Sequence, residues 1–169
     1  MTIAEILMQD FDHEMKATRT TLERIPEDNP EYKPHEKSMP MGRLAMHVAT
    51  MPLFGFYILT TPGMDLAKPT VPRADLTFTT REHMLTTFEQ SAADARSALA
   101  SSTDESLQTH WKFSFGDKVI VDAPRSTVYR SMFFNHLIHH RAQLGVYLRL
   151  NDVPVPATYG PSADDKMGF

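Results

Sequence analysis

The chain has 169 residues, 41% of them hydrophobic, and a formal net charge of −4, enough for one domain with a proper core. This mild negative charge gives no electrostatic reason to expect nucleic acid or an anionic membrane as partner. Cysteine is absent, which excludes disulfides, thiolate zinc sites, iron–sulfur clusters and a cysteine nucleophile.

Acidic residues appear at once in MTIAEILMQDFDHEMK, without the basic and apolar regions of a signal peptide. No apolar run approaches the ~20 residues that span a bilayer. A soluble, cytoplasmic protein with a single domain over 1–169 is the expectation. Thr2 and Glu5 have capping-box spacing. Behind them Ile3, Leu7, Phe11, Thr18, Leu22 and Ile25 share one helical face that Pro26 ends. Glu14 falls inside that apolar arc, where a carboxylate must be paired or at the edge of the core.

Residues 27–40 are polar, carry Pro30, Pro34 and Pro40, and read as a loop. Ser38 or Met39 caps a second helix with Pro40 in its first turn. Leu44, His47, Val48 and Met51 recur on its buried face, and Pro52 is expected to kink it. A proline-rich crossover loop over 60–76 follows. Thr79 with Glu82 then opens a third helix facing inward through Met84, Leu85, Phe88, Ala92, Ala95 and Leu99. After a turn over 101–106, the alternation of Trp111, Phe113 and Phe115 with polar neighbours and the Gly116-Asp117 turn predict a hairpin. Its aromatic side should pack on helices.

Pro124 leads into a long last helix, and 151–169 has too many prolines for anything but an extended tail. The predicted fold class is all-α, a four-helix bundle with a small β-hairpin before the last helix.

Ser131 to Leu150, SMFFNHLIHHRAQLGVYLRL, holds three of the eight histidines. Each helical residue turns about 100°, so His136 and His140 lie one above the other, with His139 turned away. An i,i+4 histidine pair can reach one metal ion. His47 supplies a third inward imidazole from another helix. Burying three imidazoles without a metal or strong hydrogen bonds is costly, and bundle cores are where facing helices pool ligands. The reading is therefore a divalent metal on His47, His136 and His140. Three nitrogen ligands leave positions for water or substrate, which makes an open site. Imidazole ligation suits zinc, nickel, copper or iron alike.

The same stripe, extended toward the N-terminus, runs through Arg125 and Tyr129, which makes them candidate pocket residues. Gln143 is a candidate partner for a ligating histidine's second nitrogen; Asn135, Asp164 and Asp165 are further candidates. His13, His35, His83 and His110 read as solvated. No phosphate-binding glycine loop and no G-x-S-x-G motif occurs.

The stretch NHLIHHRAQLGVYLRLNDVPVPATYGPSADD resembles the end of DinB-family proteins of the DinB/YfiT-like superfamily. That family carries an H-x-x-x-H pair in an HHR-x-Q-L context, followed by a V-P-x-x-Y-G-P-S tail. SMPMGRLAMHVATMP around His47 resembles the segment bearing the family's earlier histidine. The resemblance covers the whole chain and implies up-down-down-up connectivity. It also implies nickel or zinc on His47, His136 and His140, and a homodimer. Relatives of this kind include S-transferases using low-molecular-weight thiols, a glutathione-dependent isomerase branch and metal-dependent hydrolases. The leading expectation is an enzyme activating a thiolate or water toward an electrophilic small molecule. The alternatives are a non-catalytic metal- or ligand-binding stress protein, and a bundle whose histidines only serve the core.

Overall fold

The structure, a computed structural model, describes residues 1–166; the end of the expected tail, 167–169, lies outside the described residues. Helix α1 spans Ile3–Leu22, and the capping box forms as its spacing requires, with Thr2 accepting from the Glu5 amide and Glu5 accepting from the Thr2 amide. Helix α2 spans Met41–Thr60 and is continuous through Pro52. Its start differs from expectation: Pro40 is the cap residue, and neither Ser38 nor Met39 caps it. Loop carbonyls do that work, Tyr32 accepting from the Met41 amide and Pro30 from the Gly42 amide.

Helix α3 covers Arg81–Ala100, capped by Thr80 rather than Thr79, with the Thr80 hydroxyl accepting from the His83 amide. The expected turn over 101–106 holds a short helix α4, Asp104–Gln108, with its own capping box on Thr103. The last helical run starts at Arg125 as α5 (Arg125–Val128) and passes through a π-helical segment, Tyr129–Phe134. It continues as α6, Asn135–Leu150.

The hairpin is present as β2 (His110–Phe115) and β3 (Lys118–Pro124), turning at Gly116 with φ +57°, a conformation that favours glycine. A third strand, β1 (Gly63–Asp65), pairs parallel to β2 and makes the sheet order β1-β2-β3. The crossover loop therefore contains a strand that its prolines hid. The hairpin's aromatic face is also shorter than expected. Trp111 is fully buried against Phe54, but an irregularity between Phe113 and Ser114 reverses the alternation. Ser114 turns inward at 5% exposure and Phe115 outward at 60%.

The result is a mostly helical fold with a small three-stranded sheet. Helix α2 packs most extensively on α3 and also contacts the π segment and α6. Leu44, Val48, Leu137 and Leu144 are among the residues buried between these elements, each contributing roughly 1.5–3 kcal/mol. Close approach of α2 to the last helical run depends on Gly55, where a Cβ would stand 2.9 Å from the Phe133 ring. The tail lies on the body over its described length. Asp165 pairs with Arg24, Asp164 with Arg149, and the Ser162 hydroxyl donates to the Val155 carbonyl.

Candidate metal centre

Helix α2 presents His47 and α6 presents His136 and His140, all three partly buried. One ligating nitrogen from each falls within 4.8 Å of the other two. Ring centroids stand 5.3 Å apart for His47–His136, 4.7 Å for His47–His140 and 4.6 Å for His136–His140. The two helical histidines meet because they are four residues apart; His47 meets them because α2 crosses α6.

Partners of the outer nitrogens decide the protonation pattern. His140 Nδ1 lies 2.7 Å from Gln143 Oε1, an oxygen that only accepts, so Nδ1 carries the proton and Nε2 is bare. Gln143 Nε2 in turn donates to His139 Nε2 at 3.1 Å. The Nε2 of His136 stands 2.8 Å from that bare Nε2 of His140. At that separation the two nitrogens share either a proton on His136 Nε2 or a cation that both ligate. The donor set fits a divalent ion held by His47, His136 and His140, with Gln143 orienting the His140 ring.

Electrostatics point the same way. Burial, then the neighbouring His140, His136 and Arg43, pull the His47 pKa down to about 4. Burial lowers His136 as well, ahead of His140 and His139, and it lowers His140 against the raising hydrogen bond of Gln143, with His139 adding to the fall. The imidazoles are therefore neutral at pH 7, the state in which they ligate.

His47 and His136 open onto a cavity of about 530 Å³ walled by α2, the sheet, Met132 and the loop after β1. His140 with Gln143 borders a smaller hollow on the other side, near Met39 and Tyr147. The two sequence-derived pocket candidates are elsewhere. Arg125 donates to the carbonyls of Ile58 and Thr61 and, through Nε, to the Thr109 hydroxyl at 2.9 Å. It caps the C-terminus of α2. Tyr129 is fully buried among Phe133 and Phe134. The π segment explains the departure: i→i+5 bonding adds a residue per turn, so a four-residue step from His136 no longer tracks one face.

Asp164 and Asp165 are taken by Arg149 and Arg24 and do not reach the histidines; Asn135 is exposed. His13, His35, His83 and His110 are exposed as expected. Reasoning from sequence missed the cavity wall. Thr50, Met51, Phe54 and Tyr57 could have been found by continuing the His47 face along α2, whereas Leu66, Val71 and Arg73 carry no periodic signal.

A mostly helical protein with three converging imidazoles, two of them lining a cavity, is one that could bind a single metal ion. The chain belongs to the DinB family, whose family model matches residues 2–167. Among solved structures it is similar to a DinB-like protein from Bacillus cereus ATCC 10987, at TM-score 0.64 and 20% identity over 89% of this chain and 94% of that one. It is also similar to a DinB-like protein from Bacillus subtilis, at TM-score 0.68 and 19% identity over 95% of this chain and 98% of that one. At such identities the likeness is one of fold. No curated protein sequence matches the chain. Among the described residues, no helix is long and apolar enough to cross a membrane.

Proposed function

We propose that the protein is a metal-dependent enzyme of thiol S-transferase or hydrolase type, with a nickel or zinc ion on His47, His136 and His140. The observation carrying this reading is the bare Nε2 of His140, converging with a ring nitrogen of His136 and one of His47 beside a cavity large enough for a small molecule. A divalent ion on three nitrogens supplies Lewis acidity toward a thiolate, water or carbonyl oxygen. The chain's own residues hold and orient: Gln143 fixes the His140 ring, and the walls exclude bulk water from the reacting atoms. In this reading the long helices form the up-down-down-up four-helix bundle of the family, in a cytoplasmic homodimer. A low-molecular-weight thiol would serve as one substrate.

Elemental analysis of the untagged protein beside a His136→Ala/His140→Ala double variant tests the site. About one equivalent of divalent metal in the wild type, absent from the variant, supports it. A wild type that is metal-free and takes up neither Zn²⁺ nor Ni²⁺ would overturn it. Metal without turnover of any thiol–electrophile pair would favour the second reading, a non-catalytic metal- or ligand-binding protein.

A further inference from the structure

The cavity beside the histidines has walls of unusually uniform chemistry. Met51, Phe54, Leu66, Val71, Phe113 and Met132 are among its lining, and no aspartate, glutamate, lysine, asparagine or glutamine is. The Thr50 hydroxyl is already spent on the carbonyls of Met46 and His47. That leaves the Tyr57 hydroxyl and the two histidines as polar groups within, and the Arg73 guanidinium, exposed at the loop, as the one formal charge of the lining. Its volume of about 530 Å³ falls within the roughly 300–1,000 Å³ of small-molecule sites.

We propose that this cavity binds an apolar alkyl or aryl molecule bearing a single anionic group, with the apolar body against Phe54 and Met132 and the anion toward Arg73. The inference deepens the reading above by naming the substrate class of the same site. A ligand such as glutathione, with two carboxylates and an ammonium, would bury charges for which the wall has no partners, and an unpaired buried charge is expensive. A cationic amphiphile meets only Arg73 and, in the loaded protein, a metal ion of like sign. An anionic amphiphile satisfies the wall through apolar burial at about 25 cal/mol per Å² and the mouth through one guanidinium. The thiol of a transfer reaction therefore approaches from outside this cavity or is itself apolar.

The protein contains its own reporter. Trp111 is the sole tryptophan and contacts the cavity's Phe54 and Phe113, with ring centroids 5.9 and 6.0 Å away. The experiment titrates the metal-free full chain with decanoate, decan-1-ol, decylammonium and glutathione while following Trp111 fluorescence. It is repeated on Arg73→Ala, Val71→Phe and His140→Ala. Decanoate is expected to saturate the signal and to bind more tightly than decylammonium. Arg73→Ala should weaken decanoate by a factor of about 2–5, as for an exposed ion pair, and leave decanol unchanged. Val71→Phe, which fills the cavity from a loop, should weaken both about tenfold. Binding should persist in His140→Ala, which removes a candidate metal ligand outside this cavity's lining, so loss of the metal reading and loss of this inference are separate results. Saturation by glutathione but not decanoate, equal or tighter binding of decylammonium, or decanoate binding indifferent to Val71→Phe would each overturn the proposal.

Discussion

Gln143 Oε1 lies 2.7 Å from Nδ1 of His140, and the opposite nitrogen of that same ring lies 2.8 Å from His136. One amide thus sets the tautomer of a ring whose free lone pair points at the candidate site. Replacing Gln143 by Leu should lower metal affinity about 10–100-fold, the usual cost of losing such a partner, with helix content unchanged. Gln143→Glu keeps an acceptor and should retain most of the affinity. Competition against a chromophoric chelator measures both.

Acid should destabilise the metal-free protein. In the fold the His47 pKa sits near 4, chiefly through burial, against about 6.5 in an unfolded chain. Between those values the unfolded state binds more protons, so stability rises with pH and is lost as pH falls from about 6.5 toward 4. His136 and His140, shifted in the same direction, add to the slope. Thermal melts in chelator across this range should show Tm dropping with acid, and His47→Gln should flatten the profile. An unchanged profile would mean that His47 is not the buried neutral group described here.

A buried ion pair fixes the tail to the first helix. Arg141 Nη1 stands 2.7 Å from Glu14, the residues being 4% and 6% exposed. The Tyr159 hydroxyl donates to Glu14 and accepts from Arg141 at 3.0 Å. Arg141→Met leaves an uncompensated carboxylate and should cost about 3–5 kcal/mol. The Glu14→Leu/Arg141→Met pair should cost much less than the sum of its single changes. Tyr159→Phe should cost about 1 kcal/mol. Urea denaturation of the four proteins checks all three.

Two residues on the extrapolated histidine stripe give opposite outcomes to a catalytic role. The Tyr129 hydroxyl is buried with no hydrogen-bond partner among the described residues, so Tyr129→Phe should be neutral or stabilising and leave metal binding intact. Arg125→Ala removes the donors from the Ile58 and Thr61 carbonyls and should cost about 1–3 kcal/mol, again without changing metal stoichiometry. Melting temperatures with metal titrations separate these effects.

Much of this was legible in the sequence. The Thr2 and Glu5 capping box, the buried face of Leu44, Val48 and Met51, and the Gly116 turn are local signals that obey local rules. Glu14 stands out in the sequence as a carboxylate on an apolar arc, expected at the edge of the core, paired or snorkelling; it is buried, and Arg141 is its partner across 127 positions. The Phe115 face and the Arg125–Tyr129 stripe failed for one reason. Each extrapolated a regular period through an irregularity, in one case the break between Phe113 and Ser114 and in the other the π segment.

The sequence by itself determined the helices and the His136–His140 pair, because a covalent spacing of four residues on a helix is already a distance in space. Family membership was equally legible, being carried by the order of residues such as the HHR-x-Q-L run. Only the tertiary structure decided that His47 meets that pair, that β1 joins β2, and that an apolar cavity with Arg73 at its mouth opens beside the histidines. Those features depend on how separate elements cross, and the crossings are set by packing at positions such as Gly55 and Phe133 that no local period encodes.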